Sequence, residues 1–132
     1  MYDDLELLDE LYSELYKDEE LIRLLGEPST PTERNEKIRR EITPIKFATA
    51  DNVNFISMYF GSGTETDNIY VVRGFLHVDY FTKSREDFRS IQSIVRAVFE
   101  ENYLLRVSFA NESTYTKGIF CYSEKYRPLV FA

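Results

Sequence analysis

The sequence predicts an α+β fold: a mostly antiparallel four- to five-stranded sheet packed by an N-terminal helix and a central helix at about 84–102. Three observations carry this. Apolar residues near the start and in the middle of the chain recur every three or four positions, the period of a buried helix face. Short runs rich in β-branched and aromatic residues lie between and after them. The order is helix, two strands, helix, two strands and an extended tail. A chain of 132 residues, 43% hydrophobic and without a low-complexity segment, is long enough for one core and too short for two, so residues 1–132 are expected to form a single domain.

Met1 to Gly26 reads as helical. Leu5, Leu8, Tyr12 and Leu15 repeat at helical spacing, with Leu7 and Leu11 broadening the stripe. Asp18-Glu19-Glu20 places negative charge where a helix N-terminus favours it, so a fresh turn is expected there, and Gly26 with Pro28 behind it ends the helix. The acidic residues Asp3, Asp4, Glu6, Asp9, Glu10 and Glu14 read as a solvated face. Their alternative use is an acidic docking surface for a basic partner. Glu27 to Pro31 is a turn, and Thr32 to Glu41 is a charged stretch able to hold a short helix around Ile38. Beyond Pro44, Ile45 and Phe47 begin an extended segment, and Phe55 to Phe60 is a strand.

Gly61 to Asn68 is small and polar, the composition of a surface loop joining two antiparallel strands. Ile69 to Phe81 follows as a long strand, with Leu76, Val78 and Tyr80 alternating against His77 and Asp79. Thirteen residues would span roughly 40 Å, more than twice a typical strand. Either Gly74 marks a bulge that bends the strand, or part of it projects and pairs elsewhere. Ser84, with Asp87 three residues on, fits an N-cap. The helix it opens carries Phe88, Ile91, Val95, Val98 and Asn102 in a stripe widened by Ile94 and Phe99, with Arg89, Gln92, Ser93, Arg96 and Glu100 facing away. Tyr103 to Phe109 is a strand with Leu105, Val107 and Phe109 on one side. Asn111 to Lys117 turns the chain, Gly118 to Tyr122 is another strand, and Pro128 suits an edge position near the apolar end.

Composition limits the function. The net charge is −7, which disfavours a sequence-independent grip on nucleic acid or on an anionic membrane. Neither a signal peptide nor an apolar run near 18 residues is visible, so a soluble protein made in the cytoplasm, without membrane contact, is expected. Cys121 is the only cysteine; it rules out an internal disulfide, and its apolar strand setting describes a buried hydrophobe rather than a nucleophile.

His77, the sole histidine, cannot form a multi-histidine metal site and reads as a half-exposed strand residue. Gly61-Ser62-Gly63 lacks the lysine and helix of a phosphate cradle, and the carboxylates Glu65 and Asp67 fall in a loop too poorly constrained for acid–base work. Enzyme is therefore the disfavoured class, with no catalytic, cofactor or metal residues assigned. Tyrosine and phenylalanine, ten each, exceed what a small core normally consumes, so Tyr2, Tyr59, Tyr115, Tyr122 or Tyr126 are candidates for interface anchors. An aromatic RNA-binding platform would need a basic, glycine-flanked signature that is missing here.

This order of elements resembles the tail-terminator and tail-completion proteins of long-tailed bacteriophages. Leu15-Tyr16-Lys17-Asp18-Glu19-Glu20-Leu21-Ile22-Arg23-Leu24-Leu25-Gly26 looks like their opening helix, running through a short acidic break to a Leu-Leu-Gly ending. Ile69 to Phe81 leading into Ser84 to Asn102 is similar to their central strand and helix, and Tyr126-Arg127-Pro128-Leu129-Val130-Phe131 to their closing tail. The resemblance implies a non-enzymatic virion component that forms a homo-oligomeric ring, commonly a hexamer, at the head-proximal end of the tail. Such a ring caps the tube, joins it to the head-completion or connector protein, and passes DNA through its lumen without specific binding. It implies no transferable active-site residues and no cofactor. The expected contacts are Gly63, Thr64, Glu65, Thr66 and Asp67 in one loop, Ser113, Thr114 and Tyr115 in another, and Leu129 and Phe131 in the apolar tail. Two rival readings are a small acidic intracellular binding module, whose helix mimics DNA or blocks a basic protein, and a small enzyme built around His77.

Overall fold

In the computed structural model, which describes residues 4–61, 75–112 and 118–128, the chain forms an α+β fold with a five-stranded mixed sheet among the described residues. Helices α1 (Asp4–Tyr16), α2 (Glu19–Leu24) and α3 (Pro31–Lys37) precede the short strand β1 (Ile38–Arg39) and a 3-10 turn at Ile45–Phe47. Strands β2 (Phe55–Gly61) and β3 (Phe75–Thr82), helix α4 (Arg85–Glu101), and strands β4 (Leu104–Glu112) and β5 (Phe120–Pro128) follow. The sheet order is β1-β2-β3-β5-β4, antiparallel except for the parallel β1–β2 pair.

Local chemistry fixes the helix boundaries. Asp18 caps α2 by accepting from the Leu21 amide at 2.9 Å, and Gly26 ends it at φ +94°, a backbone state that glycine enters without steric cost. Thr30 caps α3 from outside Pro31, whose missing N–H is harmless at a first helical position. Ser84 caps α4 through its hydroxyl, which accepts from the Asp87 amide at 3.1 Å. The Asp87 carboxylate turns instead to the Asn54 side-chain amide at 3.0 Å, tying the helix start to the entry of β2.

The main core lies between the helices and one face of the sheet. Leu7, Leu8, Leu11 and Leu15 of α1 and Phe88, Ile91, Val95 and Phe99 of α4 pack there on Ile56, Met58, Leu76, Val78, Tyr80, Tyr122 and Tyr126. A smaller cluster of Ala48, Phe55, Phe81, Ile119 and Cys121 occupies the opposite face, covered by the segment through the 3-10 turn. There Phe55 and Phe81 stack at 4.6 Å and Phe47 meets Phe55 edge-on.

Several expectations are corrected by packing. Leu5 lies outside the α1 stripe at 72% exposure, because the sheet meets the 7/8/11/15 face. Phe99, not Val98, completes the α4 stripe. Asn102 caps the helix end, donating to Val98 O at 2.8 Å and to Glu14 at 2.6 Å. Ile38 is a strand residue directly after α3, drawn into the parallel pair with Ile56, and Ile45–Phe47 is a 3-10 turn rather than an extended segment.

Leu105, Val107 and Phe109 do not share a side: the register shift between Arg106 and Ser108 marks a bulge at Val107. Beyond it Phe109 joins the helix face, near Phe88 and Tyr122, while Leu105 stands opposite Arg127. Pro128 ends an interior strand rather than lying on an edge. Strand β3 begins at Phe75, and residues 69–74 of the long-strand expectation lie outside the described residues. No described helix is long and apolar enough to cross a membrane.

Candidate functional site: a buried carboxylate beneath an arginine-lined cleft

Strand alternation sends Tyr122, Glu124 and Tyr126 to the helix side of β5 and Ser123 and Lys125 to the other. Glu124 therefore sits where a core residue would, with a side chain fully removed from solvent. A buried carboxylate is tolerable only when its oxygens are satisfied, and here each takes two donors. The Tyr80 and Tyr126 hydroxyls donate to Oε1 at 2.6 and 3.1 Å, and Gln92 Nε2 and Arg106 Nη1 donate to Oε2 at 2.8 and 3.3 Å. Burial first, and the adjacent carboxylate second, push the Tyr80 hydroxyl well above its ordinary range, and Tyr126 is raised for the same two reasons. Both phenols stay protonated donors.

Above this carboxylate a cleft of about 400 Å³ opens between α4 and β4, lined by Phe88, Arg89, Gln92, Arg106 and Phe109. Its floor is the pair that Glu124 holds, Gln92 and Arg106; its walls are the two phenylalanines, and Arg89 stands exposed at the rim. Each guanidinium has five N–H donors, of which Arg106 gives one to Glu124, so the cleft offers fixed donors beside aromatic surface. Gln92 thus does not simply face away, as helical spacing suggested; Glu124 draws it inward.

The opposite face carries a second polar group. Tyr59 Oη and Ser123 Oγ donate to Asp79 at 3.1 and 2.7 Å, and buried Ser57 donates to Thr43 Oγ1 at 2.7 Å. His77 stacks on Tyr59 at 4.9 Å with its ring nearly parallel, and packs against Gly61 so closely that an added Cβ there would meet Nε2 at 2.7 Å. Partial burial, and then Lys125, hold the imidazole below its ordinary pKa, with Asp79 opposing.

The unfolded chain therefore binds this proton more readily than the folded one, and stability falls as pH drops through the histidine range. Because His77 is the sole histidine, thermal melts between about pH 7 and 5.5 should show this loss, and His77→Phe should flatten it. An unchanged slope in the variant would assign the loss to carboxylates.

All ten residues expected as contacts, Gly63, Thr64, Glu65, Thr66, Asp67, Ser113, Thr114, Tyr115, Leu129 and Phe131, lie outside the described residues. Of the other candidates, Cys121 is buried in the smaller cluster, Tyr122 and Tyr126 are core residues, and Tyr59 is partly exposed beside His77. Among the described residues no group of three or more His, Cys, Asp or Glu side chains is placed to hold a metal ion. The sequence did carry one overlooked signal: Glu124 lies two residues from Tyr122 and from Tyr126, on their side of the strand. Compared with protein-family models, curated proteins and solved structures, the chain matches none.

Proposed function

We propose that this chain is a structural assembly protein that completes itself with further copies in a ring, capping a phage tail tube and joining it to the head connector. The observation that carries this reading is the sheet's outer strand. Among the described residues β4 is an edge strand, nine residues long, and its Leu105, Val107 and Phe109 are 54%, 44% and 46% exposed. Edge strands of monomers are usually blunted by lysine, proline or short length, whereas this one offers backbone and apolar side chains for another chain to cover.

The strand ends suit a part with two docking faces. Gly61 and Phe75, which bracket residues 62–74, are paired with each other at one end of the sheet, where Tyr126 opposes Leu76. Glu112, which precedes residues 113–117, opposes Cys121 at the other end. The polar stretches 62–68 and 113–117 thus follow strands that end at opposite ends of the sheet, one available to the tube and one to the neck. The mechanism is steric: one ring face copies the tube's docking surface, and the other fails to recruit more tube subunits. The excess of acidic side chains suits a lumen through which DNA slides without sticking.

Deleting Gly63 to Asp67 tests the reading. The variant should keep its far-UV spectrum and melt while losing all joining of heads to tails in a reconstitution with purified particles. Joined, infectious particles at wild-type yield would refute the assignment of that loop. Electron microscopy of the protein mixed with tail tubes should show a ring at one tube end.

A further inference from the structure

We infer that the cleft between α4 and β4 binds a small aromatic carboxylic acid as its anion, with the carboxylate on Arg89 and Arg106 and the ring on Phe109. The inference goes beyond the ring reading and does not depend on it.

The lining selects an anion. Arg106 gives one of its N–H groups to Glu124 and keeps the others for the cleft, and Arg89 makes no hydrogen bond or ion pair among the described residues. In a chain with 23 acidic side chains against 16 lysines and arginines, a guanidinium left over at a cleft rim is unusual; Arg23, Arg40 and Arg96 each hold a carboxylate of their own. Of the lining side chains only Gln92 carries an acceptor oxygen. Glu124 lies beneath the floor, fully buried and with both oxygens satisfied, so a cation finds no carboxylate to bind.

Charge and shape then narrow the anion. Arg89, Arg106 and Glu124 together leave one net positive charge, which balances a carboxylate and leaves half of a phosphate dianion uncompensated. The planar guanidinium fork also matches a planar carboxylate. Phe88 and Phe109 lean together, with centroids 6.0 Å apart and planes 31° apart, into one apolar surface of which Phe109 is 46% exposed. An aromatic ring laid against Phe109 covers that exposed face. A volume of about 400 Å³ holds one ring and a short chain, the small end of the range for ligand sites.

The floor is set before anything binds. Glu124 holds Gln92 at 2.8 Å and Arg106 at 3.3 Å, so little side-chain ordering remains to oppose binding. This gives the buried carboxylate a use beyond the core, where a well-packed apolar residue would serve stability as well.

Titration with 3-phenylpropionate tests the inference, read by calorimetry and by the backbone amide resonances of the full chain. Saturable shifts centred on Arg89, Gln92, Arg106 and Phe109 are expected, with a dissociation constant of about 1 mM or below. The neutral amide of the same acid should bind at least about tenfold more weakly, and so should 3-phenylpropionate to Arg89→Gln, whose exposed side chain leaves the melt unchanged. Phe109→Ala, checked for folding in the same way, should weaken binding through the ring rather than the charge.

No saturation by about 10 mM overturns the inference, as do equal binding of acid and amide, or unchanged affinity in both variants. Tighter binding of inorganic phosphate makes the site a phosphate site instead. Tighter binding of the peptide acetyl-Phe-Glu-amide makes its occupant a polypeptide side chain; either result overturns the small acid. All of these outcomes leave the ring reading, which is tested on tail tubes, untouched.

Discussion

Replacing Glu124 with alanine should destabilise the protein by about 3–5 kcal/mol, the cost of breaking a buried charged network by removing one member. The substitution strands two buried phenol hydroxyls, Tyr80 and Tyr126, and removes the partners of Gln92 and Arg106 at once. Arg106 is partly exposed and can turn to water, and so can Gln92, so most of the loss falls on the two tyrosines. Glutamine at this position should cost less. Its carbonyl still accepts from both hydroxyls, while its amide meets the N–H groups of Gln92 and Arg106 as donor against donor. Urea unfolding of the two variants against wild type measures both. A loss below about 1 kcal/mol for alanine would mean that the network is incidental to stability.

Phe99→Ala should cost about 3–5 kcal/mol, as truncation of a buried aromatic does when the surroundings relax only partly. Phe99 is fully buried and meets the Tyr126 ring edge-on at 4.8 Å, so the cavity opens beside a residue already held by Glu124. Val98→Ala, one position away and only partly buried, should cost about 1 kcal/mol. Equal losses from the two would place the α4 stripe where helical spacing alone puts it, on Val98 and Asn102. Because Phe99 and Glu124 both touch Tyr126, the double variant Phe99→Ala with Glu124→Ala should fall short of the sum of the single losses.

The helices were legible in detail because their signals are local. Ser84 and Asp18 cap where side-chain chemistry requires, Gly26 ends α2, and the α4 period places Phe88, Ile91 and Val95 inside. The failures have a common cause. Leu5 falls outside the α1 stripe, and Phe99 rather than Val98 is the fully buried end of the α4 stripe, because a stripe wide enough for two registers is resolved only by what packs against it. Ile38 leaves its helix for a strand because β2 lies beside it with free ladder groups. Phe109 changes side because of a bulge at Val107 that no residue type announces.

The candidate site was legible least of all. The cleft joins Arg89 and Gln92 of α4 to Arg106 and Phe109 of β4, and its anchor Glu124 comes from β5, three elements whose nearness is a product of sheet order. Sequence by itself determined the α+β class, the two packing helices, the antiparallel pairing of β2 with β3 and the acidic, single-cysteine character, since these follow from periodicity, capping and composition. The tertiary structure alone decided that β5 inserts between β3 and β4. That insertion carries Glu124 into the core among four donors and opens the cleft above it, because contacts between distant segments depend on which strands become neighbours, and no local pattern encodes that choice.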